Sequence, residues 1–96
     1  MPYVSFGDAP YVLYQYEVLT VQEPLIPGPI YLELDRFVRA LPYDPKPPLS
    51  TTIGVTSSLN VVRRIQIPAL WAFVQWIIID PKAVVLDRVQ WLPLMN

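Results

Sequence analysis

The sequence predicts a small all-β domain, an antiparallel sandwich or barrel of about six strands, with proline-rich loops and an extended N-terminal arm. The chain has 96 residues, which is enough for one domain, spanning residues 1–96. Its apolar runs are rich in β-branched and aromatic side chains, which fit a pleated sheet better than a helix. Its twelve prolines, against about five at average usage, divide the chain into segments of strand or hairpin length.

The composition predicts that the chain associates with other protein chains. Hydrophobic residues make up 53% of the chain and charged residues only 16%, against about 25% in a typical domain. Mean hydropathy is +0.35. A folded chain of 11.0 kDa exposes about 5,600 Å² and has a small interior. That interior does not hold this much apolar side chain, so we expect a homo-oligomer or a larger assembly.

The longest apolar run is residues 65–80, with two tryptophans and three consecutive isoleucines. A membrane-spanning helix needs roughly 20 apolar residues, whereas Pro68 and Gln75 interrupt this run and Asp80 closes it. We therefore expect no transmembrane helix here. Its β-branched and aromatic content predicts instead that residues 69–79 form a strand buried on both faces.

Residues 83–92 have the same character and are expected to pair with this strand as a hairpin. Asp80 followed by Pro81 is typical of a type I turn. The hairpin would keep a regular register, starting with Ile79 opposite Val84. Both of its faces are mainly apolar, so it must be covered on both sides, by this chain or by another.

The first half of the chain alternates between arms, strands and rigid loops. Residues 1–10 predict an extended arm or a short edge strand, and residues 11–21 alternate as a strand with one core face. Residues 23–29, EPLIPGP, predict a rigid loop. Residues 42–48, PYDPKPP, predict an exposed, extended segment of polyproline II geometry.

Residues 30–41 fit two structures. A helix would have one apolar stripe and would pair Asp35 with Arg39 four residues later. A strand would alternate apolar and polar side chains. The similarity of residues 34–42, LDRFVRALP, to residues 86–93, LDRVQWLP, favours the strand.

Three shorter segments complete the predicted sheet. Residues 50–55 predict a strand, residues 56–60 a turn, and residues 61–67 a strand that pairs back. In the last of these, Arg63 and Arg64 would lie on opposite faces because side chains alternate along a strand.

The residue inventory argues against catalysis. With neither histidine nor cysteine, the chain lacks the usual ligands of zinc and haem and an activated thiol. Three glycines do not make a phosphate-binding loop. Glu33 and Asp35 would share a strand face, as a cation site or a sugar-hydrolysing pair requires, but a solvated strand edge explains them more simply. We expect no enzyme activity, no metal and no cofactor.

Two other functions are less favoured alternatives. A small β-barrel module that binds single-stranded nucleic acid or a peptide would use tyrosines as a stacking platform, with Arg63 and Arg64 for the phosphates. Seven basic residues and a net charge of −1 argue against nucleic acid. A peripheral membrane protein would place its tryptophans at the lipid interface, although the scarcity of lysine disfavours this.

The favoured function is that of a non-enzymatic structural or assembly subunit acting through apolar protein–protein surfaces. Within this class we expect a virion structural protein, such as a minor capsid, cement or tail-associated subunit, located in the virion or the cytoplasm. This setting follows from the class and not from a motif. No signal peptide is predicted. The expected interface residues are large aromatics: Trp71, Phe73, Trp76, Trp91, Tyr14 and Tyr16.

Overall fold

The computed structural model describes residues 2–79 and 81–94, and in these ranges six strands form a single sheet. The strands are β1 Tyr3–Val4, β2 Val12–Tyr14, β3 Thr51–Val55, β4 Val61–Ile67, β5 Ala72–Ile79 and β6 Ala83–Trp91. Their order in the sheet is β1-β2-β6-β5-β4-β3. Neighbours are antiparallel except β2 and β6, which are parallel. The predicted β-rich chain of about six strands is confirmed, but the sheet is mixed.

Two helices interrupt the β structure, so the prediction of an all-β domain is wrong in the first half of the chain. They are α1, Glu17–Thr20, and α2, Gly28–Ala40. Short 3₁₀ turns also occur at Glu23–Leu25, Pro68–Leu70 and Leu92–Leu94. The predicted loop at residues 23–29 therefore becomes a 3₁₀ turn followed by the first residues of α2.

Residues 30–40 are helical and not a strand, with Leu41 as the C-cap, because a helix buries their apolar side chains on one side. Tyr31, Leu34 and Val38 are buried, whereas Leu32, which a strand would place beside Leu34, is 64% exposed. A proline in the first turn favours the helix start, since its missing N–H would have had no helical partner. The similarity to residues 86–93 was misleading because so short a match does not specify backbone geometry.

The strand predicted at residues 11–21 ends after Tyr14. Gln15 has a φ of 61°, a left-handed conformation that turns the chain out of the sheet. The next residues form α1, whose Leu19 is fully buried in the core. The prediction of a long strand failed because alternation within the sequence carries no sign of this backbone turn.

The β5–β6 hairpin is present, with a β-bulge at Asp87. Gln75 pairs with Arg88 as the regular register predicts, but Trp76 pairs with Leu86, so every pair nearer the turn is shifted by one residue. Without the bulge, alternation would place Asp87 on the same side as Val89. The bulge lets Leu86 and Val89 both face the core. The predicted turn includes Asp80, which lies outside the described residues.

One face of the sheet, here called the core face, is covered by both helices. Trp76 is fully buried there, its ring lies 5.8 Å from the ring of Phe37 on α2, and its Nε1 donates to the carbonyl of Pro45 at 2.8 Å. This hydrogen bond ties the segment at residues 42–48 to the core, so that segment is less exposed than predicted. Other fully buried side chains of the core are Leu13, Leu19, Leu34, Val38, Val74, Val84 and Leu86.

The accessible surface of the fold matches that of an ordinary compact monomer. It measures 5862 Å², close to the roughly 5,600 Å² expected for this mass. The apolar excess of the sequence is therefore not hidden by unusually tight folding. It lies on the surface, where Leu49, Leu59 and Trp71 are among the most exposed side chains.

Candidate interaction face

The second face of the sheet, here called the open face, carries an apolar row that crosses five neighbouring strands. Val62 pairs with Ile77, Ile77 with Val85, Val85 with Tyr14, and Tyr14 with Tyr3. Tyr3 is 58% exposed and the other four are partly exposed. Residues that are direct partners share a face, so this row is one continuous apolar band.

A second, shorter row runs beside it. Ile79 pairs with Ala83, which pairs with Val12 on the parallel strand. These residues, together with Tyr14 and Val85, line a shallow groove of about 580 Å³. The end of the open face near the β5–β6 turn is therefore apolar across its width.

The opposite end of the open face is polar and cationic. One row joins Arg64, Gln75 and Arg88, and the next joins Gln66, Phe73 and Gln90. Gln75 donates through Nε2 to Asp87 Oδ2 at 2.7 Å. Within residues 2–79 and 81–94, neither arginine of the first row is in an ion pair.

Arg64 lies in a groove of about 490 Å³, here called the Arg64 groove. Its guanidinium carbon is 3.8 Å from the centre of the Phe73 ring, a close cation–π contact. Its Nε is buried without an acceptor. The remaining lining residues are Gln66, Pro68, Trp71, Ala72 and Leu92.

Trp71 forms the exposed wall of this groove and has an unusual backbone. Its φ of 57° and ψ of 43° are left-handed, which is rare for a bulky residue. Two backbone hydrogen bonds hold it: its N–H donates to the carbonyl of Pro68 at 3.0 Å, and its carbonyl accepts from Leu92 at 2.7 Å. The indole remains 65% exposed.

The six aromatics predicted at an interface fall in three places. Trp71, Phe73 and Tyr14 lie on or beside the open face, in the two grooves described above. Trp76 is fully buried on the core face, and Trp91, which pairs with Ala72, packs at the edge of the core. Tyr16 lies outside the sheet, near α2. Three of the six thus share one side of the sheet, where Phe73 is buried under Arg64 and the other two are partly or largely exposed.

Tyr16 belongs to a polar cluster that joins the N-terminal segment to α2. Its hydroxyl donates to Asp35, and Arg39 Nε donates to Asp35 Oδ2 at 2.8 Å and to the Tyr16 hydroxyl at 3.2 Å. Arg39 also lies over the rings of Phe6 and Tyr16. Burial, followed by the hydrogen bond to Asp35, raises the pKa of Tyr16 to about 12. The satisfied contacts of this cluster indicate a structural role.

Arg63 and Arg64, the basic pair of the nucleic-acid alternative, point to opposite faces as expected for adjacent strand residues. Arg63 is used within the fold: its Nη2 donates to the carbonyl of Ser50 at 2.8 Å and its Nη1 to Thr52 Oγ1 at 2.9 Å. The two arginines do not form one basic surface. Of these two arginines, Arg64 is the one that lies on the open face.

The carboxylates considered for catalysis are separated. Glu33 and Asp35 lie on a helix, where Glu33 forms an ion pair with Arg36 at 3.3 Å and Asp35 with Arg39 at 2.8 Å. Within the described ranges, no three acidic residues are grouped as a metal site would require. In that same part of the chain, no helix is both long and apolar enough to cross a membrane.

Sequence reasoning missed two residues that stand out in the structure. Leu49 is 90% exposed with a φ of 72°, and Leu59 is 80% exposed with a φ of 65°. Leu49 lines a shallow groove with Arg64 and Gln66. A leucine gives no local signal of a left-handed backbone conformation, because glycine or asparagine normally occupies such positions in proteins.

Comparison of the chain with protein-family models, with curated proteins and with solved structures found no match.

Proposed function

We propose that this protein is a non-enzymatic assembly subunit that associates with a second copy of itself through the open face. The observation that carries the proposal is the apolar row from Val62 to Tyr3, which neither helix of the described residues covers because both lie on the core face. Contiguous apolar patches of this kind mark interaction surfaces in soluble proteins.

The size of the open face supports a stable contact. Strands lie about 4.8 Å apart and rise about 3.3 Å per residue, so the six strands, which are two to nine residues long, together cover roughly 540 Å². Side chains corrugate the surface, so its accessible area is larger than this planar value. The smallest standard interfaces bury about 600 Å² on each partner, which the corrugated face can supply.

Backbone strain at exposed apolar residues supports the same proposal. Leu49, Leu59 and Trp71 combine large solvent exposure with a left-handed backbone. A left-handed conformation costs about 1–2 kcal/mol for a residue with a Cβ, and side chains so exposed bury little apolar surface against the described part of the chain to offset it. Retaining large apolar residues at such positions is consistent with contacts to another molecule.

Two copies meeting open face to open face would form a two-layer structure. Sheets that pack in this way lie about 10 Å apart with their apolar side chains interdigitated. The sandwich predicted from the sequence would then be made by two chains. A larger assembly, and a virion as its setting, stay predictions.

Light scattering behind a sizing column, in a buffer without detergent, tests the proposal. The wild-type protein should have a mass in solution that is a discrete multiple of 11.0 kDa. Ile77→Arg, in the middle of the apolar row, should give a folded monomer because it would bury a charge in the contact. The matched control Leu32→Arg, on the exposed side of α2, should keep the wild-type mass.

A wild-type monomer at micromolar concentration would refute self-association. An oligomer that is unchanged by Ile77→Arg but lost in Leu32→Arg would move the interface to the helical side. Far-ultraviolet circular dichroism distinguishes both outcomes from misfolding of a variant.

A further inference from the structure

The Arg64 groove has features of a ligand site that self-association does not explain. It lies at the polar end of the open face, beyond the apolar row, and is lined mainly by apolar side chains around one cation. Its volume of about 490 Å³ falls within the roughly 300–1,000 Å³ of small-molecule sites.

The charge of Arg64 is presented to this groove without a partner. Among the residues that the structure describes, none forms an ion pair with it or accepts a hydrogen bond from its terminal nitrogens. Its Nε is buried without an acceptor, whereas neither of its Nη atoms is both buried and unpaired. A guanidinium that lies 3.8 Å from the centre of the Phe73 ring, with no described partner at its Nη atoms, is suited to bind a carboxylate through two parallel hydrogen bonds.

The walls of the groove define the rest of the ligand. Trp71 offers an exposed indole on a backbone fixed by two hydrogen bonds, and Leu92 lies in the same lining. A rigid aromatic wall favours a flat or branched apolar group, because little side-chain freedom is lost on binding. An inorganic anion would leave this apolar wall unused.

We propose that the Arg64 groove binds a small monocarboxylate with an aromatic or branched apolar body. The carboxylate accepts hydrogen bonds from the Nη atoms of Arg64, and the apolar body packs against Trp71 and Leu92. Charge complementarity carries the assignment: the groove has one unpaired cation and no described acidic side chain in its lining.

Titration with 3-phenylpropionate, followed by the NMR signal of the Trp71 indole N–H, tests this site. The signal should shift saturably with a Kd in the low millimolar range or below, as expected for a ligand of this size. The neutral analogue 3-phenylpropionamide has the same shape without the charge. It should bind at least about tenfold more weakly, because hydrogen bonds to charged groups are the stronger ones.

Two variants locate the binding. Arg64→Gln should weaken 3-phenylpropionate at least about tenfold, since the charge-assisted bonds are lost. Arg88→Gln is the matched control: it removes an arginine of the same row that does not line the groove, and should leave the Kd unchanged. The monomeric Ile77→Arg should also bind normally, which separates this site from the proposed interface.

Equal binding of acid and amide, or of wild type and Arg64→Gln, would overturn the proposal. So would the absence of saturation in the wild type. If the probe does not bind and Arg64→Gln instead dissociates the oligomer, the groove holds an acidic side chain of a second copy, and the small-ligand assignment is wrong.

Discussion

Replacing Trp71 by glycine should make the protein more stable than replacing it by alanine. Both variants lose the same 65%-exposed indole, so they differ only in the Cβ at a backbone with a φ of 57°. A Cβ in this conformation costs about 1–2 kcal/mol, whereas the greater freedom of glycine in the unfolded chain costs about 0.5–1 kcal/mol. The free energy of unfolding of Trp71→Gly should therefore exceed that of Trp71→Ala by about 0.5–1 kcal/mol.

Thermal unfolding followed by circular dichroism measures this difference. For a chain of this length, about 0.5–1 kcal/mol corresponds to a shift of roughly 2–8 °C in Tm. Both variants must be compared at one protein concentration, because association makes Tm depend on concentration.

A matched pair on α2 should give the opposite sign. Leu32 is exposed to nearly the same extent as Trp71 but lies within a helix, where glycine is about 1 kcal/mol worse than alanine. The opposite result would be a Trp71→Gly variant no more stable than Trp71→Ala, while the Leu32 pair differs as expected. The backbone at Trp71 would then not be strained, and its conformation would not support a contact with another molecule.

Three further predictions concern the interior, the polar cluster and the bulge. Trp76→Phe should destabilise the fold by about 2–4 kcal/mol, since it leaves a cavity and an unpaired carbonyl at Pro45, and denaturant unfolding measures the loss. Because the pKa of Tyr16 is raised to about 12 in the folded protein, its contribution to the free energy of unfolding is complete below about pH 10 and is lost as the pH rises through about 12. Phenylalanine cannot ionise, so unfolding curves of Tyr16→Phe should lack this loss of stability at alkaline pH. Deletion of Asp87 should keep the fold within about 1 kcal/mol, because the pairs on either side then join in a regular register.

Each of these has a clear opposing result. A Trp76→Phe variant with wild-type stability would mean that the Pro45 segment is not tied to the core. An alkaline stability loss that is the same in Tyr16→Phe would assign it to other groups. Deletion of Val85 is the control for the bulge: it moves the residues beyond it to the wrong face and should prevent folding, and a similar failure on deletion of Asp87 would make the bulge essential.

Local patterns predicted the second half of the sheet well. Alternation and turn residues indicated the strands that became β3, β4, β5 and β6, and the hairpin register is correct from Ala72 to Gln75. These strands pair with their sequence neighbours, so short-range signals contain most of the information that they need. The same signals failed at residues 11–21 and 30–41, where the structure depends on contacts with distant parts of the chain.

The candidate site was predicted only in part. Trp71 and Tyr14 lie at or beside the open face with part of their surface exposed, whereas Phe73 is buried under Arg64. Trp76 has the same side chain as Trp71 and is fully buried on the core face. These two tryptophans lie five positions apart, with four residues between them. Their exposures differ because α2 covers one side of the sheet and not the other. The alternation of side chains along the sequence does not specify which side is covered.

The sequence by itself determined that the chain is β-rich, that its β5–β6 hairpin has two apolar faces, and that its apolar content exceeds what a small interior holds. Only the tertiary structure decided which face remains open. Helix α2 packs through Leu34 and Val38 on one side of the sheet, and the bulge at Asp87 directs Leu86 and Val89 to that same side. Because the two helices within residues 2–79 and 81–94 both cover this side, the other face keeps its apolar row at the surface.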